Sequence, residues 1–320
     1  MRASYALHFV VVGQGMATFS GGQALASGFR LIARRPLAVL VWALLYLVVA
    51  LAPQVAMVAT IWPDFLALAA ERAGDSVHAQ AEPDMQQLAA LNAKASVFQL
   101  TQMVTGVLSA TVLAGAVFRG VLEPESRAFA YLKLGRQELW LAVVMVITWV
   151  MAALAFFVAM IPAVVVGTIG SLAGGPDYLG GMLAFAVIML AACGGLIWAF
   201  LRFSLGLPMS FAEGQFRLFE SWRLTGGHAF KMFQAGVCVT VIVLVAEVVL
   251  LVVLVVGAGA WLKAAWEAVA ARPEAWVQFV PAIVGGGLLT ALLGVVVQVL
   301  YLAPLADIYR QLAPRDGEAV

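Results

Sequence analysis

Charge is scarce in this 320-residue chain: Asp, Glu, Lys and Arg make up only 11% of it, against about 25% in soluble domains. With 64% hydrophobic residues it cannot cover itself with polar groups, so its solvent is lipid. A net charge of +1 leaves no global basic field, which excludes nucleic-acid binding driven by overall charge. Histidine and cysteine are also few, three and two residues. There is no His-Glu-x-x-His and no cysteine pair suited to zinc, and Cys193 and Cys238 fall inside apolar runs, where they behave as small hydrophobes. Gly-x-Ser-x-Gly and the phosphate-binding Gly-x-x-x-x-Gly-Lys are missing, as are paired intramembrane acids. No enzyme activity, cofactor or metal is therefore expected.

What is present is long apolar runs. Segments of spanning length occur at Leu37 to Ile61, Val97 to Phe118, Leu139 to Thr168, Gly181 to Leu201, Phe233 to Trp261 and Val277 to Ala303. The fold class predicted is an all-α polytopic bundle of about six spans. Gln99, Thr101, Gln102, Thr105, Ser109 and Thr111 dilute the second run, so a protein-facing helix and a re-entrant or interfacial segment both stay open there. Before the first span, Arg2 and the short run His8 to Val12 make a poor signal peptide, and none is expected. A translation start at Met16 is an alternative, because Met16 to Gly22 opens directly into a helical pattern.

The basic residues test the six-span reading independently. With the N-terminus inside, 14 of the 18 Lys and Arg residues fall in the cytoplasm and only Arg72, Lys94, Lys263 and Arg272 outside. Both ends are then cytoplasmic. Trp62, Trp261, Trp266 and Trp276 mark the outer boundary and Trp42, Trp140, Trp198 and Trp222 the inner one, with Trp149 deeper and read as packing.

Three stretches share an aromatic and basic amphipathic pattern that leads into a span: Gly28 to Arg35, Ala130 to Arg136 and Ser221 to Gly227. Leu25, Phe29 and Ile32 follow helical spacing in the first, and Phe211, Leu218, Phe219 and Trp222 in the third. Arg119 before Pro124, Arg202 before Pro208 and Tyr301 before Pro304 echo one another. The pattern predicts one membrane domain of three units, about 20–118, 119–201 and 202–303, each a surface helix plus two spans, followed by a cytoplasmic tail, 304–320.

The stretch Arg202-Phe203-Ser204-Leu205-Gly206-Leu207-Pro208, with Glu220 to Gly227 and the span after it, resembles the bacterial membrane domain attached to some glycerophosphodiester phosphodiesterases and its stand-alone relatives. The likeness covers about Arg202 to Val245. It implies a membrane module, and the hydrolase activity is not carried over, since no His-Arg-Gly motif occurs and the only histidines are His8, His78 and His228.

Two constellations qualify as sites. Glu247 is the only acidic residue inside a predicted span, roughly level with Thr290 and Thr105 at about 1.5 Å rise per residue. It is either a proton- or cation-responsive group or one end of a single interhelical hydrogen bond. Arg119, Arg202 and Arg223 lie at cytoplasmic span ends, where they either snorkel or form a ring that binds anionic headgroups or a phosphorylated solute. Gly106, Ala110 and Ala114, and the run Gly285 to Gly287 with Gly294, allow close helix contact, and a glycine break lining a transport path is the other reading of the last group.

The function expected is a non-enzymatic envelope scaffold or lipid-organising module. A small transporter or export factor coupled through Glu247 is the alternative. Membrane lipids are the expected partners, with a protein partner or a second copy of the chain also open, and no nucleic acid. The predominance of Arg over Lys and the Ala, Val and Gly richness point to a bacterial inner membrane.

Overall fold

The computed structural model describes residues 19–55, 60–61, 85–126, 128–173, 179–271 and 280–313. It is all-α, with no strand among the described residues, and six of its helices are long and apolar enough to cross a membrane. The proposed Met16 start, the run His8 to Val12, Trp62, Trp276 and the start of the sixth predicted span lie outside the described residues.

Helix α1 (Gly21–Arg34) is set by its termini. Ser20 caps it, accepting from the Gln23 amide at 3.4 Å, and Arg35 leaves helical geometry before Pro36, whose ring disfavours helix in the residue preceding it. Most of its apolar surface packs on protein. Ala24, Ser27, Gly28 and Leu31 are buried, and α1 packs along the end of the last helix, α9 (Val280–Leu312). A Cβ on Gly28 would stand 3.2 Å from the Leu300 Cα, so the backbones approach this closely only because residue 28 has none. Leu25 and Ile32 pack on Val239, Val243 and Leu300, and Phe29 is left exposed.

Pro36 then opens α2 (Pro36–Tyr46), which passes through a π turn at Leu47–Leu51. Next come α3 (Met85–Leu122), α4 (Arg136–Ala173), α5 (Leu179–Phe203), the short α6 (Gly206–Glu213) and α7 (Ser221–Leu224), and α8 (Ala229–Ala271). Helix α3 is continuous through the polar stretch of the second run, which removes the re-entrant alternative; Ser109 and Thr111 on it are buried whereas Gln99 and Thr101 are exposed. The hydroxyls of Thr101, Thr105, Thr148, Thr240 and Thr290 each donate to the carbonyl four residues earlier, so each is satisfied inside its own helix.

The other two basic stretches differ from the surface helices expected. Ala130 to Arg136 begins as a 3-10 turn at Phe129–Tyr131 and continues as irregular chain to α4. Gly214, at φ 61°, ends α6 in a left-handed cap, so Phe211 and Trp222 belong to different helices. Phe211 is buried and Phe219 and Trp222 are exposed. The last span also runs further than its apolar pattern, through Pro304 to Leu312.

Packing is concentrated at one end. One cluster joins Leu31, Trp42, Val117, Tyr131 and Val299, and a second joins Phe118, Leu141, Phe211 and Ala306. Trp42, expected at the headgroup level, is fully buried there, and Trp149, expected in the packing, is exposed. The opposite halves of α3, α4, α5, α8 and α9 carry mostly exposed apolar side chains, as helices facing hydrocarbon do. Helices α4 and α5 stay paired there: a Cβ on Gly170 would lie 2.7 Å from the Gly181 Cα. Gly285 and Gly286 meet no such neighbour.

Candidate functional site

Four arginines converge where three spans end. Arg30 and Arg34 belong to the last turns of α1, Arg35 joins α1 to α2, and Arg310 stands in the last turn of α9. With Ser27, Val121, Tyr131 and Asp307 they line a cleft of about 240 Å³. The spans Pro36–Val55, Ala89–Leu122 and Val284–Leu312 all reach their basic ends at this cleft.

The charges in the cleft are not balanced. Asp307, only 1% exposed, is ion-paired with Arg310 and accepts from Gln311 Nε2 at 2.7 Å, and Gln311 Oε1 in turn accepts from the Ser20 amide at 2.9 Å. This chain ties the start of α1 to the end of α9. Arg30 donates to the Gln23 carbonyl at 2.9 Å, and the Arg35 guanidinium lies 5.8 Å from the centre of the Tyr131 ring. Among the described residues no carboxylate pairs with Arg30, Arg34 or Arg35.

The Tyr131 wall is held in a strained turn. Ala130 and Tyr131 have φ of 49° and 59°, consecutive left-handed positions that L side chains rarely adopt. Two donors hold the turn. Trp42 Nε1 donates to the Ala130 carbonyl at 2.7 Å and Arg119 Nη1 to the Tyr131 carbonyl at 2.7 Å. Strain of this kind persists only where the surroundings over-determine it, and here they deliver the Tyr131 ring to the cleft.

Arg119 therefore does not reach headgroups, which corrects that expectation. It is 1% exposed, ion-paired with the buried Glu138, 3.8 Å from the Glu123 carboxylate and 5.3 Å from the Phe211 ring centre. A charge moves off the surface only when a partner compensates it, and Glu138 is that partner, at the start of α4. Arg202 is half-buried between two indoles, 5.4 Å from the centre of Trp198 and 5.2 Å from that of Trp222, and donates to the Trp222 carbonyl at 3.4 Å. Arg223 is exposed and makes no ion pair among the described residues. Arg217, outside the spans, is engaged with Glu213 and Glu220; the Glu220 hydrogen bond first, then the charge of Glu213, raise its pKa above the ordinary value. The expected ring of Arg119, Arg202 and Arg223 does not form.

No hydrogen bond joins Glu247 to Thr290 or Thr105 among the described residues. Glu247 is exposed on α8, a helix that packs mainly on α1, α5 and α9, and no hydrogen bond or ion pair engages it among the described residues. Both threonine hydroxyls are spent on their own helices. Among the described residues no group of three His, Cys, Asp or Glu side chains is placed to hold a metal, and Cys193 and Cys238 are free.

Arg34 and Arg35 stand in the sequence as a basic pair directly before a span, a signal that marks a span end without marking a site. Nothing local announces that Arg310, 275 positions beyond Arg35 by their numbers, shares their cleft. No family model, curated protein or solved structure matches the chain.

Proposed function

We propose that this multi-pass membrane protein is a non-enzymatic, lipid-organising module of a bacterial inner membrane that holds anionic headgroups in its arginine cleft on the cytoplasmic side. The observation that carries this reading is Arg30, Arg34 and Arg35 lining one cleft at the ends of three spans with no carboxylate paired to them among the described residues. Guanidinium groups favour phosphate because their fork of donors matches its oxygens. The cytoplasmic placement rests on the segregation of Lys and Arg to one side of the spans. The likeness of Arg202 to Val245 to a phosphodiesterase-attached membrane domain supports a membrane module. A transport role coupled through Glu247 has less behind it, because that carboxylate is exposed and no hydrogen bond joins it to Thr290 or Thr105 among the described residues.

The test is lipid retention. Protein carried from native membrane into nanodiscs is expected to keep anionic lipid through washes that exchange zwitterionic lipid, read by native mass spectrometry. Arg34→Ala combined with Arg35→Ala is expected to lower that retention about tenfold or more, because a charge-assisted hydrogen bond contributes roughly 1.5–3 kcal/mol. An unchanged lipid profile in the double variant overturns the proposal.

A further inference from the structure

The charge and size of the cleft define which headgroup chemistry it fits; this step rests on the headgroup-binding reading above. Four guanidinium groups and one carboxylate line it, which leaves three positive charges once Asp307 is paired with Arg310. Arg30, Arg34 and Arg35, all exposed, carry that excess within adjacent turns of one helix and its junction, where like charges so close together repel one another. The start of α2 beside them adds the positive end of its dipole. A single phosphodiester, with one negative charge, leaves most of this excess standing.

We infer that the cleft is built for a pair of phosphates, as a diphosphate or as two linked phosphodiesters, with two or three negative charges in one headgroup. The volume agrees. Taking a water as about 30 Å³, a cleft of about 240 Å³ holds the volume of about eight waters, room for two phosphate groups together. The walls agree as well. Tyr131, Leu31 and Val121 place apolar surface beside the guanidinium groups, as the junction between a phosphorylated head and its hydrocarbon requires. The Trp42 and Arg119 clamp on the Ala130–Tyr131 turn fixes that wall before ligand arrives, so little ordering cost falls on binding.

The experiment compares probes in nanodiscs of phosphatidylcholine doped at equal mole fraction with phosphatidylglycerol, with cardiolipin or with farnesyl diphosphate, each read by native mass spectrometry. Both two-phosphate probes are expected to be retained about tenfold better than phosphatidylglycerol, the effect of one further charge-assisted contact. Arg34→Gln and, separately, Arg30→Gln are expected to lower that preference, whereas Arg223→Gln, exposed and outside the cleft, leaves it intact. Phosphatidylglycerol retained as well as the two-phosphate probes overturns this inference and leaves headgroup binding standing. Retention of no anionic lipid at all overturns both. Inorganic pyrophosphate added in solution separates the sources: displacement of the bound lipid at equal concentration shows that the paired phosphates alone are recognised, and failure to displace shows that the hydrocarbon-bearing form is required.

Discussion

At the scale of the residue, the Arg119 and Glu138 pair shows how one buried charge organises its surroundings. Its guanidinium is shared between Glu138 and the Tyr131 carbonyl and lies over the face of Phe211, so a single side chain joins α3, the strained turn, α4 and α6. Breaking a buried pair by neutralising one partner leaves the other uncompensated. Glu138→Gln is therefore expected to destabilise the protein by about 3–5 kcal/mol. Thermal unfolding in detergent checks this, and a melting temperature unchanged from wild type would show the pair to be idle. The double replacement Arg119→Leu with Glu138→Leu is expected to recover much of the loss, because apolar groups of similar volume remove both desolvation costs together.

At the scale of the element, glycines decide which helices touch. Gly28 lets α1 settle against α9, Gly206 accommodates Leu218, and the facing pair Gly170 and Gly181 closes the hairpin of α4 and α5. In a membrane these contacts matter because lipid competes with protein for apolar surface, and close backbone approach is what favours helix over lipid. Gly170→Ala, whose Cβ would fall 2.7 Å from the Gly181 Cα, is expected to cost about 1–3 kcal/mol. Gly195→Ala on α5, where nothing lies within 4 Å, is expected to be neutral or to stabilise by up to about 1 kcal/mol. Thermal unfolding of the two variants in one detergent separates them, and equal melting temperatures would show that the hairpin does not depend on this approach.

At the scale of the whole molecule, the packed end is also the basic end. Helix α3 with 38 residues and α8 with 43 run roughly 57 and 65 Å at 1.5 Å per residue, well beyond a hydrocarbon core of about 30 Å, so both must protrude into water. Single cysteines in a background with Cys193 and Cys238 replaced by Ala report on which side. Ala90→Cys, on the exposed far end of α3, is expected to react with a membrane-impermeant maleimide in intact cells, and Glu125→Cys, exposed at the basic end, only after permeabilisation. The reverse pattern would turn the arginine cleft to the outside and remove its cytoplasmic headgroups.

Six apolar runs were legible in the order of the residues, because hydropathy and length are local properties that each segment carries by itself. The start of α1 at Ser20 and its end at Arg35 were local in the same way. Which arginines stay available was not. Arg119, Arg202 and Arg35 look alike as basic residues beside spans, yet the first is spent on a carboxylate 19 positions away, the second lies between two indoles, and the third is left in a cleft with Arg310. Only the tertiary structure decides this, because burial and pairing depend on which helix packs against which, and those contacts join residues that nothing in the chain order relates.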